Sequence, residues 1–311
     1  MPGKDNADVV VIGAACLDIK GRSCGPLALG TSNQGQVRIA CGGAGRNIAD
    51  NLARLGVPTT LLTVVGTDSY ARTILEETAA AGVNLDYVRV ASGARSALYL
   101  AVLDQHGHLS VSVDEMSSLE LLSPPYVYAN RALIEQARMV VVDANLATST
   151  IGTVMALAKR HGVPVCMATV SAALARKAKR YLKGYHIVIG NADEAGVLCG
   201  APITGIPEAA AGVHQLVAAG VKVAIITLGA QGLAYASGEG GGFIPAIQTE
   251  VLDTTGAGDA LTAAVIYGLM NDFPVDEALR LGVSAATLTL ACRDTVCHDL
   301  NQETLYQRMV I

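Results

Sequence analysis

The stretch Asp253-Thr254-Thr255-Gly256-Ala257-Gly258-Asp259-Ala260 concentrates residues that do chemistry. It follows a strand-like run, Thr249–Leu252, and opens an apolar helix over 260–270. Gly256 and Gly258 remove side chains where backbone must approach a ligand closely. N–H groups at a helix start have no partner inside the helix, and the helix dipole favours an anion there. Asp259 puts a carboxylate in the first turn, beside that anion site. An Asp at a helix start is also a common cap. Two acids flanking T-G-A-G in a charge-poor region favour a site instead. An acid beside an anion hole suits phosphoryl transfer. The acid accepts a hydroxyl proton while N–H groups stabilise charge on the transferred group.

A second glycine-rich stretch is Cys41-Gly42-Gly43-Ala44-Gly45-Arg46-Asn47-Ile48-Ala49. Its glycines let backbone N–H groups reach a small polar ligand, and Asn47 can both donate and accept hydrogen bonds. A tight turn packed on a sheet explains the same residues equally well. Other chemistries lack their signatures. Gly21-Arg22-Ser23-Cys24-Gly25 matches the nucleophile elbow G-x-S-x-G, but Gly25-Pro26 follows and no helix begins. No complete dinucleotide fingerprint follows a strand, no phosphate-binding P-loop exists, and the six His form no H-E-x-x-H. His106 and His108 read as exposed turn residues rather than metal ligands.

These residues need a scaffold, and the chain is large enough to build one. At ~150 residues per domain, 311 residues suggest two domains or one large α/β domain with an appendage. A hydrophobic fraction of 51% against 16% charged excludes a disordered chain. With 10 Tyr, 2 Phe and no Trp, the core must be aliphatic. The net charge of −5 offers no footprint for a nucleic-acid duplex. No run reaches the ~18 apolar residues that span a bilayer, and the polar N-terminus does not read as a signal peptide. Seven Cys with no C-x-x-C pair read as free thiols in a reducing cytoplasm.

Short all-apolar runs alternate with Ala/Leu-rich helical stretches. Strands are expected at Val9–Gly13, Thr60–Val65, Met139–Asp143, Val165–Met167, Ile187–Ile189 and Val223–Leu228. Helices are expected at 45–55, 70–81, 148–160, 260–270 and 277–291. That alternation predicts a parallel sheet covered on both faces. Residues 14–42 and 95–114 break it. The second reads as a hairpin turning at Asp104-Gln105-His106-Gly107. Together they are expected to form a small antiparallel sheet, a candidate lid, on a core made of 1–13, 43–94 and 115–311.

The two glycine-rich signatures, in this order and at these positions, resemble those of the PfkB (ribokinase-like) carbohydrate kinases over essentially the whole chain. Val11–Ile19, Gly43–Ala53, Asp143-Ala144-Asn145 and the hairpin from Tyr99 to Met116 are most similar to the pseudouridine kinase subgroup. The resemblance implies a three-layer α/β/α core with a β-sheet lid that mediates dimerisation. It implies ATP and Mg²⁺ as cofactors, with K⁺ a further candidate, and a sugar or nucleoside substrate. Asp259 matches the catalytic base, and the N–H groups of Gly256, Ala257 and Gly258 match the anion hole. Asp18, Gly42, Gly43 and Asn47 match positions that hold sugar hydroxyls. Tyr99 and Asn145 join them as candidate contacts to the acceptor. Asn191-Ala192-Asp193-Glu194 matches the N-x-x-E motif, in which Glu194 orders Mg²⁺ through water; by its residues alone it is a helix cap. Thr227, Gly229 and Gly232 match the turn against the nucleotide. Asp253 and Thr255 match a loop that binds a monovalent cation in many members, with help from the segment near Ala291–Val296. Met167-Ala168-Thr169 departs from the pattern, because many members carry an acid there.

Overall fold

The computed structural model describes residues 8–309. The polar N-terminus read above as no signal peptide falls mostly in residues 1–7, outside the described residues, as do 310 and 311. In chain order the strands are β1 Val9–Ile12, β2 Cys16–Ser23, β3 Gly35–Gly42, β4 Thr59–Leu62, β5 Val64–Val65, β6 Arg89–Val90, β7 Ala97–Leu103, β8 Leu109–Glu115, β9 Met139–Asp143, β10 Val165–Ala168, β11 Ile187–Asn191, β12 Val223–Thr227, β13 Gly232–Ser237 and β14 Gly240–Pro245. Eight of them form one sheet in the order β14-β13-β12-β11-β10-β9-β1-β4. From β12 to β4 every neighbour is parallel; β13 and β14 close one edge antiparallel.

The composition of β1 explains why it lies inside. All four residues, Val-Val-Val-Ile, are buried. Val9 and Val11 pack into one apolar cluster, with the helices Ala44–Arg54, Ala257–Met270 and Val275–Leu290. Val10 and Ile12 pack into the other, with the helices Thr148–His161, Ala192–Cys199 and Ile206–Ala218. Alternate residues of one strand thus feed two cores, as a sheet covered on both faces requires.

The two segments expected to form a lid make a separate four-stranded sheet, β3-β2-β7-β8. It consists of two antiparallel hairpins joined through a parallel β2–β7 pair. Residues of β2 alternate between its faces. Asp18, Lys20 and Tyr99 share the face turned toward the core, where Lys20 reaches Asp253. The opposite face carries Val37, Ile39, Val111 and Val113, which are 70%, 62%, 56% and 63% exposed.

Four expectations need correction. The run Thr60–Val65 breaks at Thr63, where β5 leaves the main sheet to pair with β6. Thr249–Leu252 is not a strand: β14 ends the sheet, and the Leu252 N–H donates instead to the Leu290 carbonyl at 2.8 Å. The apolar helix begins at Ala257, three residues before the apolar run, because Gly256 in the left-handed region caps it. The seven cysteines are not all free: Cys292 and Cys297 are joined as a disulfide. Ser23 ends β2 with no helix after it, and its hydroxyl donates to the Gly25 carbonyl, which removes the nucleophile-elbow reading. Among the described residues no helix is long and apolar enough to cross a membrane.

Candidate active site

The carboxyl ends of parallel strands present turn residues along one edge, where open α/β sheets bind ligands. Here that edge gathers Asp143 from β9, Asn191 from β11 and Thr227 from β12. The N-terminus of the helix Ala257–Met270 meets them. A cavity of about 610 Å³ opens there, within the usual range for a small-molecule site. Its walls include Asn191, Glu194, Thr227, Gly229 and Gly232, the residues expected to face the nucleotide. Ala257, Gly258 and Asp259 line it as well. One wall is aliphatic, built from Ile247, Leu261, Val283 and Leu290. Among the described residues the lining holds no aromatic ring, lysine or arginine.

The helix starting at Ala257 has Gly256 as its N-cap, with φ 82°, and no side chain caps it. Its first N–H groups are therefore free for an anion. A Cβ on Gly256 would drive into the Thr295 carbonyl, so the loop comes too close to residue 295 for any other amino acid. Asp259 stands in the first turn of that helix. Burial pushes its carboxyl up to about 7, and the negative charges of Asp143, Asp18 and Glu194 add to that. A hydrogen bond from Asn47 Nδ2 to Asp259 Oδ2, at 2.9 Å, pulls the other way. A carboxylate with a pKa near neutrality can take up and release a proton at working pH.

Asp18, Gly42, Gly43, Asn47 and Tyr99 do not line that cavity, and Asn47 is joined to it by its bond to Asp259. Gly42 is required for space: a Cβ there would overlap the Asp18 carboxyl group. Tyr99 is the register partner of Asp18 on β7. Burial raises the Asp18 pKa, partly opposed by the Cys16 thiol, which donates to Oδ1 at 3.2 Å, and by the charge of Lys20. Asn145 is not in the cavity lining either. Its N–H donates to Asp143 Oδ1 at 2.9 Å. Asp143, fully buried, also accepts from Ala14 N–H at 2.7 Å and Gly45 N–H at 3.0 Å. It therefore clamps the turn after β1 to the helix that carries Asn47.

Glu194 bears out the helix-cap reading of its motif. It forms a capping box with Asn191 and also lines the cavity. Thr169, at the position following Ala168, donates to Glu194 Oε2 at 2.5 Å. A hydroxyl thus occupies the neighbourhood where the acid is missing.

Sequence reasoning missed Lys20. Its ammonium donates to Asp253 Oδ2 at 2.7 Å and to Thr255 Oγ1 at 2.6 Å, the two residues expected at a monovalent cation. The signal was present: on a strand, residue 20 shares a face with residue 18. It also missed Asp143, which reads as an ordinary strand end until the fold brings residues 14 and 45 to it.

Comparisons with known proteins show the chain's family and fold. The model of the pfkB family carbohydrate kinases matches residues 6–299. The chain is 32% identical to pseudouridine kinase of Escherichia coli K12 over 298 residues, covering 94% of this chain and 93% of that one. It is 27% identical to guanosine-inosine kinase of Exiguobacterium acetylicum, covering 91% and 94%. The fold superposes on Arabidopsis thaliana ribokinase complexed with ribose and ATP with a TM-score of 0.87, at 23% identity, covering 98% and 99%. Family, topology and the edge of the sheet at which the candidate residues converge lead to one conclusion: this chain belongs to the pfkB family of carbohydrate kinases.

Proposed function

We propose that the chain uses ATP to phosphorylate the primary hydroxyl of pseudouridine, giving pseudouridine 5′-phosphate. One observation carries the reading. Asp259 lines a nucleotide-sized cavity and accepts a hydrogen bond from Asn47, which lies outside that lining, so one carboxylate touches both sets of residues expected to hold the reactants.

The residues present fit ATP. The uncapped N–H groups at Ala257 and Gly258 suit phosphate oxygens, and the aliphatic wall suits a nucleobase without stacking. Gly258 leaves open space on its Cβ side. They also fit Mg²⁺ held on the phosphates: Glu194 offers one carboxylate, and Mg²⁺ usually keeps waters and substrate oxygens for the rest. Bound there, Mg²⁺ neutralises charge on the phosphates.

In this reading Asp18 accepts hydrogen bonds from the ribosyl hydroxyls, with Gly42 and Gly43 giving them room. Tyr99 covers the acceptor from the lid, and Asn145 sits behind Asp143 near its base. Asp259 takes the proton from the attacking 5′-hydroxyl, and Asn47 holds its carboxylate in line. The N–H groups of Gly256, Ala257 and Gly258 receive the charge of the transferred group. Thr227, Gly229 and Gly232 border the nucleotide. Strands β2, β3, β7 and β8 act as a lid that excludes water and limits ATP hydrolysis. The exposed apolar face of that sheet pairs with its counterpart in a second copy, making a homodimer. The enzyme works in the cytoplasm, beside its nucleotide.

The test is ADP release from Mg²⁺-ATP across a panel of acceptors: pseudouridine, uridine, guanosine, adenosine, ribose, fructose and ketodeoxygluconate. Pseudouridine should give the highest kcat/KM. Faster turnover of another acceptor replaces the substrate but keeps the kinase. No ADP with any acceptor, together with a thermal shift by one of them, makes the chain a binding protein on this scaffold.

A further inference from the structure

Lys20 occupies a position that the established family does not explain. It projects from the lid strand β2 across to the loop that precedes the anion hole, and it holds both Asp253 and Thr255. The ion pair is mostly shielded, with side-chain exposures of 14% and 24%. Asp253 uses its other oxygen, Oδ1, to accept the Thr255 N–H at 2.9 Å. Burial would raise the Asp253 pKa, yet the Lys20 ammonium and the Thr255 donors outweigh it and hold the carboxyl below its usual value. The carboxylate therefore already has its counter-ion. A monovalent cation on Asp253 Oδ2 would compete for the same oxygen and meet a positive charge beside it. These residues do not fit a K⁺ site.

We propose that the Lys20 ammonium is a built-in cation that replaces K⁺ at the 253–255 loop and fastens the lid to it. Lys20 is a positioning residue in this account. It acts through Asp253 and Thr255, which fix the start of the helix whose N–H groups receive phosphate. An ammonium supplied by the lid also makes the loop's charge balance depend on where the lid sits. The proposal rests on the kinase reading for its effect on turnover, but not for its effect on cation binding.

Two measurements separate these parts. Thermal unfolding of the wild type, Lys20→Met and Lys20→Arg is followed in KCl and in tetramethylammonium chloride at equal ionic strength. ADP release with the best acceptor is measured in the same buffers. Wild type and Lys20→Arg should show equal melting temperatures in both salts and turnover equal within about twofold. Lys20→Met should lose about tenfold or more in turnover without K⁺. It should recover turnover and melt higher when K⁺ or ammonium is added, because a cation that binds only the folded state stabilises it. Tetramethylammonium, too large for a K⁺-sized site and without an N–H donor, should not substitute. A wild type activated or stabilised by K⁺ overturns the proposal. So does a Lys20→Met protein indifferent to K⁺ in both measurements. If no acceptor releases ADP, the kinase reading fails and the melting temperatures still decide the cation question. If Lys20→Met does not fold, the wild type's response to K⁺ decides it.

Discussion

Asp259 illustrates how one residue combines position and acidity. Its place in the first turn of a helix was legible from T-G-A-G-D; its raised pKa was not. That shift comes from burial and from Asp143, Asp18 and Glu194, which lie far from it in sequence. The consequence is a pH dependence of definite sign. Below a pKa of about 7 the carboxyl is protonated in the free enzyme and cannot accept the hydroxyl proton. The acidic limb of kcat/KM should therefore bend near pH 7 and fall about tenfold per unit below it. A profile flat down to pH 5 would remove Asp259 as the base. Gly42 makes the matching point for the acceptor side. Because a Cβ there overlaps the Asp18 carboxyl, Gly42→Ala should raise the KM for the acceptor by about tenfold or more. The KM for ATP should change little, and steady-state titration of each substrate checks the split.

Elements were read well where their physics is local. The buried strands β1, β9, β10, β11 and β12 are short apolar runs ended by turn residues, so their sequence carries them. The break at Thr63 and the loop at 249–252 were not legible. Both depend on what lies next to the segment in space, since a β-branched run becomes a strand only if an edge is free to receive it. The lid shows a different limit. Only the hairpin over 95–114 was legible as strands; residues 14–42 showed no helix signal and several glycines, and the parallel β2–β7 pairing needs the fold to bring the two side by side. The Cys292–Cys297 pairing escaped for the same reason: spacing alone did not announce it. At this scale Asp143 is the joint on which the site depends. It accepts three N–H groups from two other segments and its own turn, and none of those partners is predictable from residue 143 alone. Removing it by Asp143→Ala leaves two buried donors, Ala14 N–H and Gly45 N–H, unpaired at about 1–3 kcal/mol each, with the half-buried Asn145 N–H losing its partner as well. The melting temperature should fall by several degrees, as differential scanning calorimetry would register.

For the whole molecule, the lid divides into a polar face toward the core and an apolar face toward solvent. Val37, Ile39, Val111 and Val113 on that outer face form an exposed apolar group, which the proposed homodimer would bury against a second copy. Light scattering should give a dimer for the wild type. Because Ile39 and Val113 are 62% and 63% exposed in the monomer, Ile39→Asp with Val113→Asp should give a folded monomer. A monomeric wild type would contradict the pairing. The claim on which the rest depends is that Asp259 drives transfer of phosphate to pseudouridine. The direct measurement is label transfer from γ-³²P-ATP to pseudouridine by the wild type and by Asp259→Asn. The account predicts labelled pseudouridine 5′-phosphate from the wild type and ~10²–10⁴-fold slower transfer by the variant, with little change in KM. Label released only as inorganic phosphate, or undiminished transfer by Asp259→Asn, would contradict it.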